Sequence, residues 1–156
     1  MILYRISNFP DLLGIGGTLA SGRWHTRGSP VVYLSDHPAL ALLETLAHFE
    51  FDSIEDLPTS YKLIRVDTCD ANMNIASENI LGDDWTQDVN LTRNYGDQWL
   101  AAGSHPLFRV PSVIIPHSHN YILNPAHSEA SNIKIVDVAD YKLDGRLTHF
   151  SPSELN

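Results

Sequence analysis

The chain has 156 residues, which at ~150 residues per domain fits one compact domain, and its 43% of apolar residues suffices for a core. Nineteen acids against ten Lys and Arg give a net charge of −9. That balance argues against nucleic acid or an anionic membrane as the main partner, because both need clustered cations. No apolar run approaches the ~18 residues of a membrane span. Cys69 is the single cysteine, which excludes an intrachain disulfide and a cysteine-based zinc knuckle. It reads as a small buried residue. Met1 to Pro10 has neither a basic start nor a cleavable apolar region, so the cytosol is the expected compartment.

In chain order, Ile2 to Ile6 alternates as a short strand. Residues 14–28 hold five of the nine glycines and read as a loop with close backbone approaches. Val31 to Leu34 predicts a buried strand. Ser35-Asp36-His37-Pro38 then supplies a polar cap and a proline for a helix running to about Phe49. An acidic loop ends at Pro58, and Tyr61 to Val66 is the next strand. Asp88 to Ala101 predicts a helix with Leu91, Tyr95 and Trp99 on one core-facing stripe. Phe108 to Ile115 is apolar but contains Pro111, so it reads as an edge or bulged strand. Tyr121–Leu123 and Ile133–Val138 are short strands, and the polar tail after Leu143 reads as loose. Strands and helices intersperse without regular βαβ alternation. The predicted class is α+β, one domain over residues 1–156, with a mixed, irregular sheet flanked by helices. Its core spans about 2–141 and its tail about 143–156.

Charge is unevenly spread. Residues 1–50 and 101–156 each carry −1, whereas residues 51–100 carry −7, with Asp83, Asp84 and Asp88 clustered as a solvated face. The segment from Leu12 to Ser35 holds no acid but contains Arg23, His25 and Arg27. In so acidic a chain, a glycine-rich cationic stretch is a candidate anion site. Gly14-Ile15-Gly16-Gly17 is not a dinucleotide fingerprint, since Leu19 occupies the place of the third glycine and no helical pattern follows. His117 and His119 would share one side of an extended segment, with His127 nearby, but no acid completes a metal set, so no metal is expected.

Glu44 is the anomalous residue. Between Ala39 and His48 the other members are apolar except Thr45 and His48, so apolar groups cover every side of the helix and most of its surface should be buried. A buried carboxylate needs a partner or loses its charge. One explanation is a core-edge glutamate paired to a cation such as Arg65. The other is a site carboxylate working with Arg23 and Arg27 from the loop and Tyr33 and Ser35 from the strand. Arginine forks grip phosphate, and tyrosine offers a flat face to an aromatic ring. The residues alone reach an anionic nucleotide ligand.

Gly22-Arg23-Trp24-His25-Thr26-Arg27-Gly28, Val32-Tyr33-Leu34-Ser35, the Ala39–His48 stretch, Val110-Pro111-Ser112 and Asn120 to His127 together resemble the RES domain, from Tyr4 to about Tyr141. Arg23, Glu44 and Ser112 match the Arg, Glu and Ser that name the family. The resemblance implies a toxin of a RES–Xre toxin–antitoxin pair, with a fold similar to ADP-ribosyltransferases, that depletes cellular NAD+. Arg23 would then hold the pyrophosphate or ribose, and Tyr33 would stack on the nicotinamide. Glu44 would bind the adjacent ribose and stabilise the developing cation, and Ser112 would position the same part of the ligand. His25, Arg27 and Ser35 would add substrate contacts, and Asn124 and His127 would shape the pocket. NAD+ would be a consumed substrate, with no cofactor required. The implied partner is an Xre-type helix-turn-helix antitoxin that carries the DNA binding, and the Trp85 and Trp99 region offers an apolar contact for a homodimer. Two alternatives remain open: an ADP-ribosyltransferase that modifies a protein, and a non-catalytic nucleotide-binding or interaction module.

Overall fold

Short runs of β-branched and aromatic residues pair into one seven-stranded sheet. Its strands are β1 (Ile2–Ser7), β2 (Val32–Ser35), β3 (Ser60–Asp67), β4 (Met73–Ile75), β5 (Leu107–Pro111), β6 (His119–Leu123) and β7 (Lys134–Lys142). They lie in the order β4-β5-β6-β2-β1-β3-β7. Only β4 with β5 is parallel; the other five neighbouring pairs are antiparallel. The α-helices among the described residues are α1 (Ile15–Leu19), α2 (Pro38–His48) and α3 (Val89–Ala102). This computed structural model describes residues 1–48, 60–77 and 81–148. The chain is a mixed α+β domain, as its interspersed elements predict. Among the described residues no helix is long and apolar enough to cross a membrane.

Strand alternation sorts the side chains onto two faces. One buries Leu3, Val32, Leu34, Val66, Leu107 and Leu123 together. The other presents Phe108, Val110 and Ile122, which pack with Trp24, Trp85 and Trp99. Trp24 meets Phe108 edge-on at 5.9 Å and Trp99 stacks on it at 5.3 Å, both favourable aromatic geometries. The polar members of this second face, Ser35 on β2 and Asn120 on β6, stand directly opposite one another. Helix α2 lies across β1 and β2 and buries Leu40 and Ala41.

Several expectations change. Residues 14–28 are not all loop, since α1 forms within them. Helix α2 buries one side only and leaves Leu43 40% exposed, because it rests on the sheet and nothing described covers it. Strand β5 is interior, not an edge: β4 pairs with it up to Arg109 and β6 up to Pro111. Pro111 is tolerated as the strand's last residue, past the last β4 pair. Cys69 is exposed, because it sits in the turn after β3 at φ +48°. Trp85 and Trp99 are buried in the core at 6% and 3% exposure, so they form no apolar surface for a second copy. Phe49, most of the acidic loop and the tail from residue 149 lie outside the described residues.

Helix α3 begins at Asp88, whose side chain caps the Leu91 amide at 2.9 Å, and it clamps the loop before β2. Thr92 Oγ1 donates to the Arg23 carbonyl and Arg93 Nε to the Gly22 carbonyl, each at 2.8 Å. Asp97 accepts from the Thr26 amide and hydroxyl at 2.8 and 2.7 Å. Between these ties Gly96 meets the Trp24 carbonyl so closely that a Cβ would lie 1.6 Å from its oxygen. Gly96→Ala must therefore separate helix from loop. It should destabilise the fold by about 2 kcal/mol or more despite alanine's better helix propensity, read as a lower denaturant midpoint. An unchanged midpoint would show that the clamp carries no stability.

Candidate active site

Two sets of residues meet above the second face of the sheet. Tyr4 and Ile6 from β1, Tyr33 and Ser35 from β2 and Asn120 from β6 supply one wall of a cavity of about 410 Å³. Gly14, Gly17, Gly22 and His25 of the loop supply another, and Glu44 and His48 of α2 close it. Glu44 is the only acid among its described lining residues.

The carboxylate is held from the sheet side. Ser112 Oγ, just past β5, donates to Glu44 Oε1 at 2.8 Å, and Asn120 Nδ2 donates to the same oxygen at 2.5 Å. Ser112 Oγ accepts the amides of Ile114 and Ile115 at 3.1 and 3.2 Å, which leaves its proton for the carboxylate. Asn120 Oδ1 accepts from Ser35 Oγ at 2.7 Å. Oε2 has no hydrogen bond among the described residues. Glu44 is thus half-buried and partnered by neutral donors, and Arg65 is not among its partners.

The loop wall is equally determined. His25 Nε2 lies 3.1 Å from the Ala20 carbonyl and 3.3 Å from that of Gly17, so it carries the proton. Nδ1 therefore accepts, from the Gly22 amide at 3.2 Å and from the Tyr33 hydroxyl at 2.9 Å. The Tyr33 oxygen in turn accepts the Trp24 amide at 3.1 Å. Burial pushes the Tyr33 phenol well above its usual range, so it stays protonated and keeps donating. Burial also lowers the His25 imidazole, more than its two carbonyl partners raise it. The ring is neutral and fully occupied.

The sequence-predicted residues divide into groups. Glu44, Tyr33, Ser35 and His25 line the cavity. Ser112 touches Glu44 from behind without lining it. Arg23 is half-buried, and its guanidinium feels the charge of Glu44. Burial lowers its pKa, Glu44 raises it and Arg93 lowers it again, and Nη1 is buried without a hydrogen-bond partner among the described residues. Arg27 and Asn124 instead flank a second cavity of about 360 Å³ with Thr26 and Asp97. Asn124 closes a turn onto the Ala126 amide at 3.0 Å, and His127 caps the following short helix. Neither is brought to Glu44. His119 Nε2 accepts from Arg109 Nη2 at 2.9 Å on the opposite sheet face, and His117 flanks a third cavity with them.

Asn120 and the α3 residues Thr92, Arg93 and Asp97 escape the sequence reading. A signal for Asn120 exists: it is a polar residue beginning the apolar run Tyr121–Leu123, in register with Ile122. Gly96 also leaves a trace, as a lone glycine within a helical pattern. The other three act only across long sequence separations.

Residues 2–144 match the family model described as the RES domain. The chain is 44% identical over 147 residues to a protein named Toxin Res from Pseudomonas putida, covering 94% of this chain and 99% of that one. A Sphingobium protein named Prs ADP-ribosylating toxin is 32% identical over 142 residues, 88% of this chain and 86% of its own. The fold is similar to a chain in the crystal structure of the M. tuberculosis MbcT–MbcA toxin–antitoxin complex, with a TM-score of 0.69 at 16% identity over 94% of this chain and 86% of that one. The chain belongs to the RES domain family, alongside relatives named as toxins.

The state of His25 gives a pH dependence with a defined sign. Its folded value is lowered, so the unfolded chain takes up a proton near pH ~6.5 that the loop refuses. The stability tied to His25 is full above that pH and is lost as pH falls below it. Denaturant midpoints followed from about pH 7.5 to about pH 5.5 should fall more steeply for the wild type than for His25→Gln. Parallel profiles would contradict a neutral, loop-holding His25.

Proposed function

We propose that this RES-domain protein is a toxin that consumes NAD+ by cleaving the bond between nicotinamide and ribose. The observation that carries the reading is the single carboxylate among the described residues of the cavity, held on Oε1 and with no described partner on Oε2. Breaking this bond builds positive charge on the ribose, as in glycoside hydrolysis, and a fixed carboxylate stabilises that charge. Nicotinamide leaves as a neutral heterocycle, so no second carboxyl is needed as general acid. A cavity of about 410 Å³ falls within the ~300–1,000 Å³ of small-molecule sites.

In this reading Glu44 faces the ribose, the Tyr33 ring stacks on the nicotinamide, and Arg23 draws in the pyrophosphate or ribose. Ser112 keeps Glu44 in place. NAD+ is the substrate and no cofactor is called for; the cytosol is where that substrate is met. The toxin names of the relatives and the toxin–antitoxin complex of similar fold support an antitoxin partner. The net charge of −9 fits a partner of Xre type that carries the DNA binding itself.

A second reading rests on the Sphingobium relative, whose name describes an ADP-ribosylating toxin. Here the same cleavage ends on a protein acceptor instead of water or phosphate. Both are tested by measuring cellular NAD+ after brief induction of wild type and Glu44→Ala, with labelled products resolved by chromatography. The expected result is a collapse of NAD+ with free nicotinamide in the wild type, and loss of at least ~100-fold in rate in a folded Glu44→Ala. Label retained on a macromolecule would select the protein-modifying reading. A folded Glu44→Ala that still arrests growth would remove Glu44 from the chemistry.

A further inference from the structure

Glu44 projects from a helix that is buried on one side only, so α2 by itself does not decide which carboxylate oxygen faces the cavity. The sheet does. Oε1 receives both directed donors, Ser112 Oγ and Asn120 Nδ2. The Ser112 hydroxyl has no freedom, since two backbone amides occupy its lone pairs. The Asn120 amide has one: it can rotate by half a turn and exchange its oxygen and nitrogen. Turned that way, it would set a carbonyl oxygen against an ionised carboxylate oxygen, and the Oε1 donor would be lost.

We infer that Ser35 and Asn120 form a positioning relay for Glu44, in which the Ser35 hydroxyl fixes the orientation of the Asn120 amide and the amide fixes the carboxylate. Ser35 and Asn120 are direct cross-strand partners in β2 and β6, so the register of the sheet sets their separation. Both are buried, at 4% and 9% exposure, where water competes little for either group. The Ser35 proton goes to Asn120 Oδ1 at 2.7 Å, and the Asn120 nitrogen is thereby aimed at Glu44. Ser35 is therefore a positioning residue, although its side chain borders the cavity. With Oε1 doubly bonded, Oε2 is the oxygen left for a ligand. What it does there rests on the NAD+ reading above; the relay itself does not.

The test has two arms. In ¹⁵N-labelled protein, the two Asn120 side-chain amide protons of the wild type should be well separated, with the carboxylate-bonded one downfield. Ser35→Ala should draw them together or broaden them as the amide samples both orientations, and Ser35→Thr, which keeps a hydroxyl, should restore the separation. In the second arm, NAD+ cleavage by Ser35→Ala should lose about tenfold in kcat with KM changed less than about twofold, because a misaimed carboxylate weakens transition-state stabilisation more than binding. Ser35→Thr should recover most of that loss. If Ser35→Ala fails to fold, Ser35→Cys reads the same resonances with a weaker donor. Unchanged Asn120 resonances in a folded Ser35→Ala would overturn the relay, as would an unchanged kcat. A wild type that cleaves no NAD+ would overturn the proposed function, while the resonances still decide the relay.

Discussion

Where α3 crosses the loop before β2, only a hydrogen atom fits between them. Gly96 presses its backbone onto the Trp24 carbonyl, and this approach lets Thr92, Arg93 and Asp97 reach the carbonyls, amide and hydroxyl of residues 22–26. The consequences spread along the loop. Trp24 is turned into the aromatic core against Phe108 and Trp85, and its own amide becomes a donor to Tyr33. His25 is carried under the Ala20 and Gly17 carbonyls, and Arg23 is left half-buried within range of the charge of Glu44. A glycine-rich loop would otherwise be the least constrained part of the molecule, because glycine loses the most entropy on ordering. Here a helix from much later in the chain turns it into a fixed wall.

The opposite wall follows a different logic. Central strands of a covered sheet favour apolar side chains, yet β2 and β6 each place one polar residue on the face beneath α2. Ser35 and Asn120 are tolerated there because they satisfy each other across the strand pair and then satisfy Glu44. Ser112 does the same from the end of β5, using backbone amides that the turn after Pro111 exposes. The carboxylate is thus surrounded by neutral donors and not by a salt bridge. An ion pair would satisfy the charge and leave little of it for a ligand, whereas neutral hydrogen bonds orient the group and preserve the charge.

Much of this arrangement is legible in the sequence because it is local. The strand alternation of Ile2–Ile6 and the Leu91–Trp99 stripe give their elements to within a residue or two. Glu44 stands out as the acid in an apolar helix, and the acid-free segment from Leu12 to Ser35 marks the loop wall. The failures share one cause, which is that each depends on a neighbour distant in sequence. Pro111 suggests an edge strand until β4 is seen to stop short of it. The apolar α2 suggests burial all round until it is found lying on the sheet. Trp85 and Trp99 suggest a surface until Trp24 is found packed on the first and Phe108 on the second. Asn120 falls just before the predicted strand Tyr121–Leu123 for the same reason, since only the register with Ser35 gives it a task.

The charge pattern then takes on a physical meaning. A net charge of −9 opposes the approach of an anionic ligand such as the pyrophosphate of the proposed substrate. But screening confines such effects to about 8 Å at physiological salt, so the local field decides what a cavity accepts. Most of the net negative charge belongs to residues 51–100, and of the described residues among these none lines the cavity. Among the described residues its walls come from residues 4–48 and Asn120, Arg23 lies within reach of Glu44's charge, and Glu44 is the one acid. Under the proposed NAD+ reading, the single described carboxylate would face the carbon that becomes cationic during reaction, with Arg23 close enough to share its field.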